Sequence, residues 1–268
     1  MLNKLLFHRF PSLKSILTRI FYNYLSAQVK DADVAFMNYG YVPHVQDEFK
    51  LALSPEEEGH RFSVQLYHHV GKSISWENAD VLEVSSGRGG GANFLMRHFK
   101  PRSYKGVDYS SRAIEFCQRR YQVDGLSFEY GNAEALTFPD NLFDIVVNLE
   151  ASLYYSNITR FFGHVRRVLK PGGYFLYADL RYEERVEQWR AQLRNMGLKL
   201  IKEEEITSNV LKATELDRER RIWMVKNYMP AILHTMCYHF VGLEPNAPKD
   251  VTPHLDNRKY WHFILQKP

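Results

Sequence analysis

Residues 81–91 read VLEVSSGRGGG, and no other stretch limits the fold as tightly. An apolar run, Val81-Leu82 with Val84, carries one acid at Glu83 and breaks into two serines and a cluster of glycines. Ala92 to Met96 then resumes with helical spacing. That order is a buried strand, a tight loop and a helix start, which brings backbone N–H groups close to a ligand. A glycine-rich turn in any α/β protein would look the same, so the meaning of the loop rests on the downstream residues.

Downstream of the loop, strand and helix patterns alternate. Strands are expected at 80–84, YKGVD (104–108), LSFEYGNA (126–133), FDIVVNLEA (143–151), YFLYADL (174–180), 198–206 and KYWHFILQK near the carboxyl terminus. Helical patterns fall at 56–74, 91–99, through Ile114 to Tyr121, and through Phe161 to Leu169, where Pro171-Gly172-Gly173 stops the run. Further helices are expected at 183–196 and at 208–240, broken near Pro230, before a Pro-rich loop at 245–253. The run at 143–151 is almost continuously apolar, as a strand covered on both faces should be. The alternation predicts a parallel, doubly wound sheet with right-handed crossovers. Ligands of such sheets sit beyond the carboxyl ends of the strands, so the loops at 85–91, 108–110, 131–134 and 150–155 should converge on one crevice.

Those loops hold a specific set of polar groups. Asp108, ending the second strand, reads either as an acceptor for both hydroxyls of a ribose or as an acidic helix-entry residue. Asn132-Ala133 can read an adenine edge, although Gly131-Asn132 also suits a plain turn. Glu83 lies inside an apolar strand, and a buried carboxylate needs partners.

Four ordered motifs, VLEVSSGRGGG, VD (107–108), GNAEALTFPDNLFDIVV (131–147) and VLKPGGYFLYADL (168–180), together resemble class I S-adenosylmethionine-dependent methyltransferases. Within that family the likeness is to phthiotriol/phenolphthiotriol dimycocerosates methyltransferases and related enzymes of polyketide, lipid and sterol type. It spans most of residues 33 to 180, including AFMNYGY and the QLYHH helix. The resemblance implies an α/β fold, a Rossmann-like seven-stranded doubly wound sheet with a helical N-terminal and C-terminal cap. It divides the chain into a helical and aromatic cap segment at 1–54 and a methyltransferase domain at 55–268 with a helical insertion at about 207–250. It implies S-adenosyl-L-methionine as cofactor, with Glu83, Ser85, Gly87 and Gly89 at the methionine, Asp108 and Tyr109 at the ribose, and Asn132 and Ala133 at the adenine. Glu150 serves the cofactor or the acceptor. The family usually has Asp where Asn132 stands, and Gly-Cys where this chain has Ser85-Ser86.

Relatives place a His just after the fourth strand; here that position is Leu153, followed by Tyr154-Tyr155. The remaining catalytic candidates are Asp179, Glu150 and Tyr154, with Asp179 read as the base or as an orienter of the acceptor hydroxyl. Tyr39, Tyr41 and Tyr67 are candidates to face the sulfonium. His68, His69 and His164 read as packed or solvated helix residues. The acceptor expected is a small apolar molecule methylated on a hydroxyl, sheltered by cap aromatics that include Trp189, Trp223, Tyr228 and Tyr238. Carbon methylation of a sterol- or polyene-like acceptor, or cofactor binding without methyl transfer, are the alternatives.

Composition excludes several other classes. A net charge of +4 spread along the chain makes no case for nucleic acid. Cys117 and Cys237 are the only cysteines and lack metal-site spacing, so no metal is expected and a reducing, cytoplasmic location is the simpler reading. Residues 1–30 carry Lys4, Arg9, Lys14, Arg19 and Lys30 with no acid before Asp31, and leucines and isoleucines recur every three or four positions. That segment reads as a helix packed on the domain, a peripheral membrane-surface helix or an organelle transit peptide.

Overall fold

A computed structural model describes residues 34–44, 51–247, 250–253, 255 and 257–268. The basic segment 1–30, and the membrane-contact reading with it, lies outside the described residues. Strands β1 (Asp80–Val84), β2 (Ser103–Asp108), β3 (Leu126–Tyr130), β4 (Phe143–Leu149), β5 (Leu169–Tyr182) and β6 (Lys199–Glu205) occur where the apolar runs predict them. A hairpin, β7 (Leu243–Ala247) and β8 (Asp250–Pro253), then precedes the last strand, β9 (Arg258–Gln266). The helices are α1 (Pro55–Glu58), α2 (Arg61–Gly71), α3 (Gly90–Phe99), α4 (Ser111–Arg120) and α5 (Ile158–Val168), followed by α6 (Glu183–Arg194), α7 (Thr207–Leu216), α8 (Arg218–Tyr228) and α9 (His234–Phe240).

Seven strands form one sheet in the order β3-β2-β1-β4-β5-β9-β6. The order reverses between β1 and β4, which places a topological switch point beyond the carboxyl ends of those two strands. β1 to β5 pair in parallel, whereas β9 runs antiparallel to both β5 and β6. The parallel expectation therefore holds for six strands, β6 included, and fails at the inserted last one.

Strand side chains alternate between two cores. Val81 belongs to the core under α2 and α3, with Leu66, Val70, Leu95 and Tyr104. Leu82 and Val84 belong to the opposite core, with Phe161, Val165, Phe175, Tyr177 and Phe263. Trp189 is 2% exposed in this second core, its ring 5.2 Å from that of Phe263. It is a sheet-packing residue, because α6 lies on β5 and β9 rather than in a cap. A third, small cluster of Val225, Met229, Cys237, Tyr238 and Leu243 packs α8 against α9. Trp223 is 48% exposed.

Local chemistry explains the remaining boundaries. The single helix expected at 56–74 is two, divided at Gly59-His60, where His60 takes a non-helical backbone (φ −120°). α4 starts where Ser110 Oγ accepts from Ala113 N at 3.3 Å, as expected of a cap. α5 ends at Val168, where β5 already begins at Leu169, so Pro171-Gly172-Gly173 does not stop the helix but bulges within β5, whose pairing jumps from Leu169 opposite Phe143 to Tyr174 opposite Ile145. The Pro-rich segment expected as a loop forms the β7–β8 hairpin, a two-stranded edge that tolerates proline.

Phe175 is fully buried at the centre of β5. Truncating it (Phe175→Ala) should cost about 3–5 kcal/mol by chemical denaturation. A loss below about 1 kcal/mol would contradict the two-core packing.

Candidate active site

A cavity of about 350 Å³ lies at the switch point, walled by the loops after β1, β2, β3 and β4 and closed by residues Ala35 to Asn38. Ser85, Gly87, Asp108, Tyr109, Asn132, Ala133, Glu150 and Tyr154 all line it, as the sequence predicts. Glu83, Gly89 and Asp179 do not.

The first wall is the glycine loop. Ser85 (φ 61°) turns the chain sharply out of β1, and Gly89 (φ 74°) caps α3 in the left-handed region where a side chain would be strained. A Cβ on Gly91, in the first turn of α3, would stand 1.9 Å from the Tyr67 ring. Ser85 Oγ lies 2.7 Å from the Tyr155 hydroxyl, which accepts from Asn148 Nδ2 at 2.9 Å. With that bond accepted, Tyr155 has its proton available for Ser85.

Asp108 joins the first and second loops. Its Oδ2 accepts from Gly87 N at 2.9 Å and its Oδ1 from Ser110 N at 2.8 Å. The Tyr109 backbone N–H is a third donor to this carboxylate, which keeps acceptor capacity for a diol at the cavity edge. Burial pushes its pKa up, against the backbone N–H groups that favour the charge. At the third wall, Asn132 Oδ1 accepts from Glu134 N at 2.9 Å, which starts a 3₁₀ turn over Ala133–Ala135. Tyr109, 38% exposed, leans on Tyr130 with ring centres 5.4 Å apart.

Two further acids stand at the cavity, Glu83 buried and Glu150 half-buried in its wall. Glu83 is 1% exposed and accepts from Tyr67 and Tyr104 hydroxyls, each at 2.9 Å. It acts on the site through Tyr67, whose ring lines the cavity. Glu150 sits on a positive φ of 53°, and its Oε1 accepts from Tyr39 N and from the Tyr260 hydroxyl, both at 2.8 Å. Desolvation pushes Glu83 up to about 7 and Glu150 up to about 8, in each case against donors that favour the charge.

Asp179 is withdrawn from the site. It is fully buried, accepting from Ser152 Oγ at 2.6 Å, Leu153 N at 3.2 Å and Leu180 N at 2.7 Å, with the Arg181 guanidinium 3.2 Å away. It fixes the 152–153 turn from within, and the structure does not bring it to the cavity. Leu153 packs against the first core. Of the three tyrosines expected near the sulfonium, only Tyr67 lines this cavity. Tyr41 stacks on His69 at 4.0 Å. Tyr39 borders a second cavity of about 80 Å³, formed with Met224, Tyr228, Met229 and Cys237 and flanked by Arg220 and Arg221. The two cavities share Phe36, Met37 and Asn38. Sequence reasoning missed this wall and Tyr155; the apolar AFM run beside the tyrosines was the available signal.

A parallel sheet with a glycine loop, a diol-accepting carboxylate and a polar turn at its switch point defines the nucleoside-cofactor class of site. A family model described as a methyltransferase domain matches residues 82–177. The fatty-acid O-methyltransferase of Mycolicibacterium smegmatis is 39% identical over 215 residues, covering 80% of this chain and 78% of that protein. The phthiotriol/phenolphthiotriol dimycocerosates methyltransferase of Mycobacterium leprae is 34% identical over 226 residues, 84% of this chain and 83% of its own. Among solved structures, the cyclase SpnF superposes with a TM-score of 0.70 at 18% identity, covering 94% of this chain and 95% of that one. Geranyl diphosphate C-methyltransferase from Streptomyces coelicolor A3(2), solved with S-adenosyl-L-homocysteine, gives 0.65 at 16% identity, covering 95% and 98%. These two show the fold alone. The chain belongs to the class I S-adenosylmethionine-dependent methyltransferases. It groups there with the fatty-acid and phthiotriol/phenolphthiotriol enzymes, whose length it largely shares.

The buried groups set two expectations. Gly91→Ala should displace Tyr67 from Glu83 and weaken S-adenosylhomocysteine binding by at least about tenfold, since a buried charged hydrogen bond carries about 1.5–3 kcal/mol. Unchanged calorimetric affinity would contradict it. Glu150, raised from 4.5 to about 8, stays protonated when folded but ionises when unfolded, so its contribution to stability falls as pH rises through that window. The stability of Glu150→Gln relative to the parent, followed by thermal melts, should therefore grow between about pH 4.5 and 8. A flat difference would contradict the buried neutral acid.

Proposed function

We propose that this methyltransferase moves the methyl group of S-adenosylmethionine to an oxygen of a small, apolar, lipid-type acceptor. The observation that carries the reading is the apolar second cavity beside the first, with Phe36, Met37 and Asn38 common to both. The names of the two relatives, one acting on fatty acids and one on phthiotriols, support an acceptor of that kind.

The donors and acceptors lining the cavity support its use as the cofactor site. Asp108 would accept from both ribose hydroxyls, Asn132 and Ala133 would meet the adenine edge, and Ser85 and Gly87 would hold the methionine end. When bound, S-adenosylmethionine supplies an electrophilic methyl on a sulfonium, so alignment and exclusion of water are the protein's main tasks. Tyr67 presents a ring to that region. Residues 1–54 and about 207–250 would act as the cap over the acceptor, with Tyr228 and Met224 along its apolar part.

Glu150 is the carboxyl at the site whose burial makes it basic. Ionised beside the cofactor's positive charge, it would accept the acceptor's hydroxyl proton as the oxygen attacks, with Tyr154 orienting that oxygen. A second reading is favoured by Leu153 standing where relatives hold His. A carboxylic acid is already ionised near neutral pH and needs no base.

Labelled methyl should pass from S-adenosylmethionine to a hydroxylated lipid or a long-chain fatty acid and be lost on mild demethylation. Label retained through demethylation would mean carbon transfer, and no labelled product with tight cofactor binding would sink the reading. Glu150→Gln should lower kcat by about 10²–10⁴-fold on a hydroxyl acceptor, the usual weight of a general base, and little on a carboxylate. An unchanged kcat on the hydroxyl acceptor would remove Glu150 from the chemistry. Near pH 7, calorimetry in two buffers should detect proton release with S-adenosylmethionine but not with S-adenosylhomocysteine, because only the sulfonium favours ionised Glu150. Equal proton release would place the sulfonium away from it.

A further inference from the structure

Outside the cavity, His69, Glu204 and His262 bring one ligand atom each to within 4.8 Å of one another. Three separate elements deliver them. Glu204 on β6 and His262 on β9 are directly paired across the antiparallel ladder, and His69 comes down from α2. His69 Nε2 stands 3.0 Å and His262 Nδ1 3.6 Å from the same oxygen, Glu204 Oε2. Ligands of one tetrahedral zinc ion, each about 2.0–2.2 Å from the metal, lie about 3.3–3.5 Å apart. The observed spacings bracket that separation.

A second observation points the same way. His262 is fully buried; its Nε2 has no hydrogen-bond partner among the described residues, its Nδ1 faces only Glu204 Oε2 at 3.6 Å, and Nδ1 of His69 is unpartnered. Leaving such groups unsatisfied costs roughly 1–3 kcal/mol each. A plain packed pair of histidines would be expected to turn a nitrogen to a carbonyl or hydroxyl. The Tyr41 ring stacked on His69 and the His262 ring, 5.2 Å from His69 and tilted by 64°, hold both imidazoles in place. Glu204 is the open side: its side chain is 36% exposed and also takes the Lys202 ammonium at 2.8 Å. Lys202 is itself 34% exposed.

We propose that His69, Glu204 and His262 bind a divalent first-row transition ion of the zinc class, with water completing the shell on the Glu204 side. Two imidazoles and one carboxylate suit zinc, cobalt or nickel and not magnesium or calcium. The ion would staple α2 to the β6–β9 edge of the sheet. It is structural and lies apart from the methyl-transfer reading, which stands or falls independently.

The test uses the full chain stripped with a chelator and titrated with Co²⁺ as a visible probe. The expected result is one equivalent bound with d–d bands of a low-coordinate nitrogen and oxygen site, displaced by Zn²⁺, and a rise in Tm with metal. His262→Gln should bind more than about 100-fold more weakly, since outer-shell changes alone cost about 10–100-fold. Lys202→Ala, which keeps all three ligands, should bind several-fold more tightly. Fold is checked by circular dichroism and retained S-adenosylhomocysteine affinity. No stoichiometric cobalt on folded protein overturns the proposal. So do bands that persist in a folded His69→Gln/His262→Gln variant, or Lys202→Ala binding no more tightly than the parent.

Discussion

One carboxyl group gathers the parts of this molecule that chemistry needs together. Glu150 leaves β4 on a left-handed backbone and takes the amide of Tyr39 and the hydroxyl of Tyr260 on the same oxygen. Those partners lie 111 and 110 residues away in sequence, one in the N-terminal wall and one on the last strand. A half-buried acid held this way is costly unless its donors stay in place, so its position and its partners fix one another. The wall from Ala35 to Asn38 can close the cavity because Tyr39 is anchored here.

The glycine loop depends on a similar device. Asp108 gives one oxygen to Gly87 and one to Ser110, which sets the loops after β1 and β2 at a fixed separation. Glu83 does the same for Tyr67 from β1. Cavity-lining residues are thus held by acids, one of them buried (Glu83) and two (Asp108 and Glu150) lining the cavity themselves. Such an arrangement preorganises a site before its ligand arrives.

Much of this was legible in the sequence because the signals are local. The apolar run at 143–149, the Ser110 cap and the glycine loop each come from neighbouring residues, and the four loops converge because the strands are parallel. The order in which the last strands join the sheet carries no local signal, so the antiparallel place of β9 could not be read. Asp179 shows the same limit. A carboxylate at a strand's carboxyl end is a natural base from sequence, yet Ser152, Leu153 and Arg181 turn it inward. The Phe36–Asn38 wall and the pairing of Glu204 with His262 are likewise tertiary facts.

If the cavity at the switch point is preformed, it should hold the cofactor in a single orientation. A crystal structure of the full chain with S-adenosylhomocysteine would show whether it does. The predicted result is ribose hydroxyls on Asp108, adenine beside Asn132 and Ala133, and the homocysteine sulfur facing the side of the cavity bounded by Glu150 and Tyr67. A ligand bound elsewhere, or lying in this cavity with its ribose away from Asp108, would contradict that assignment.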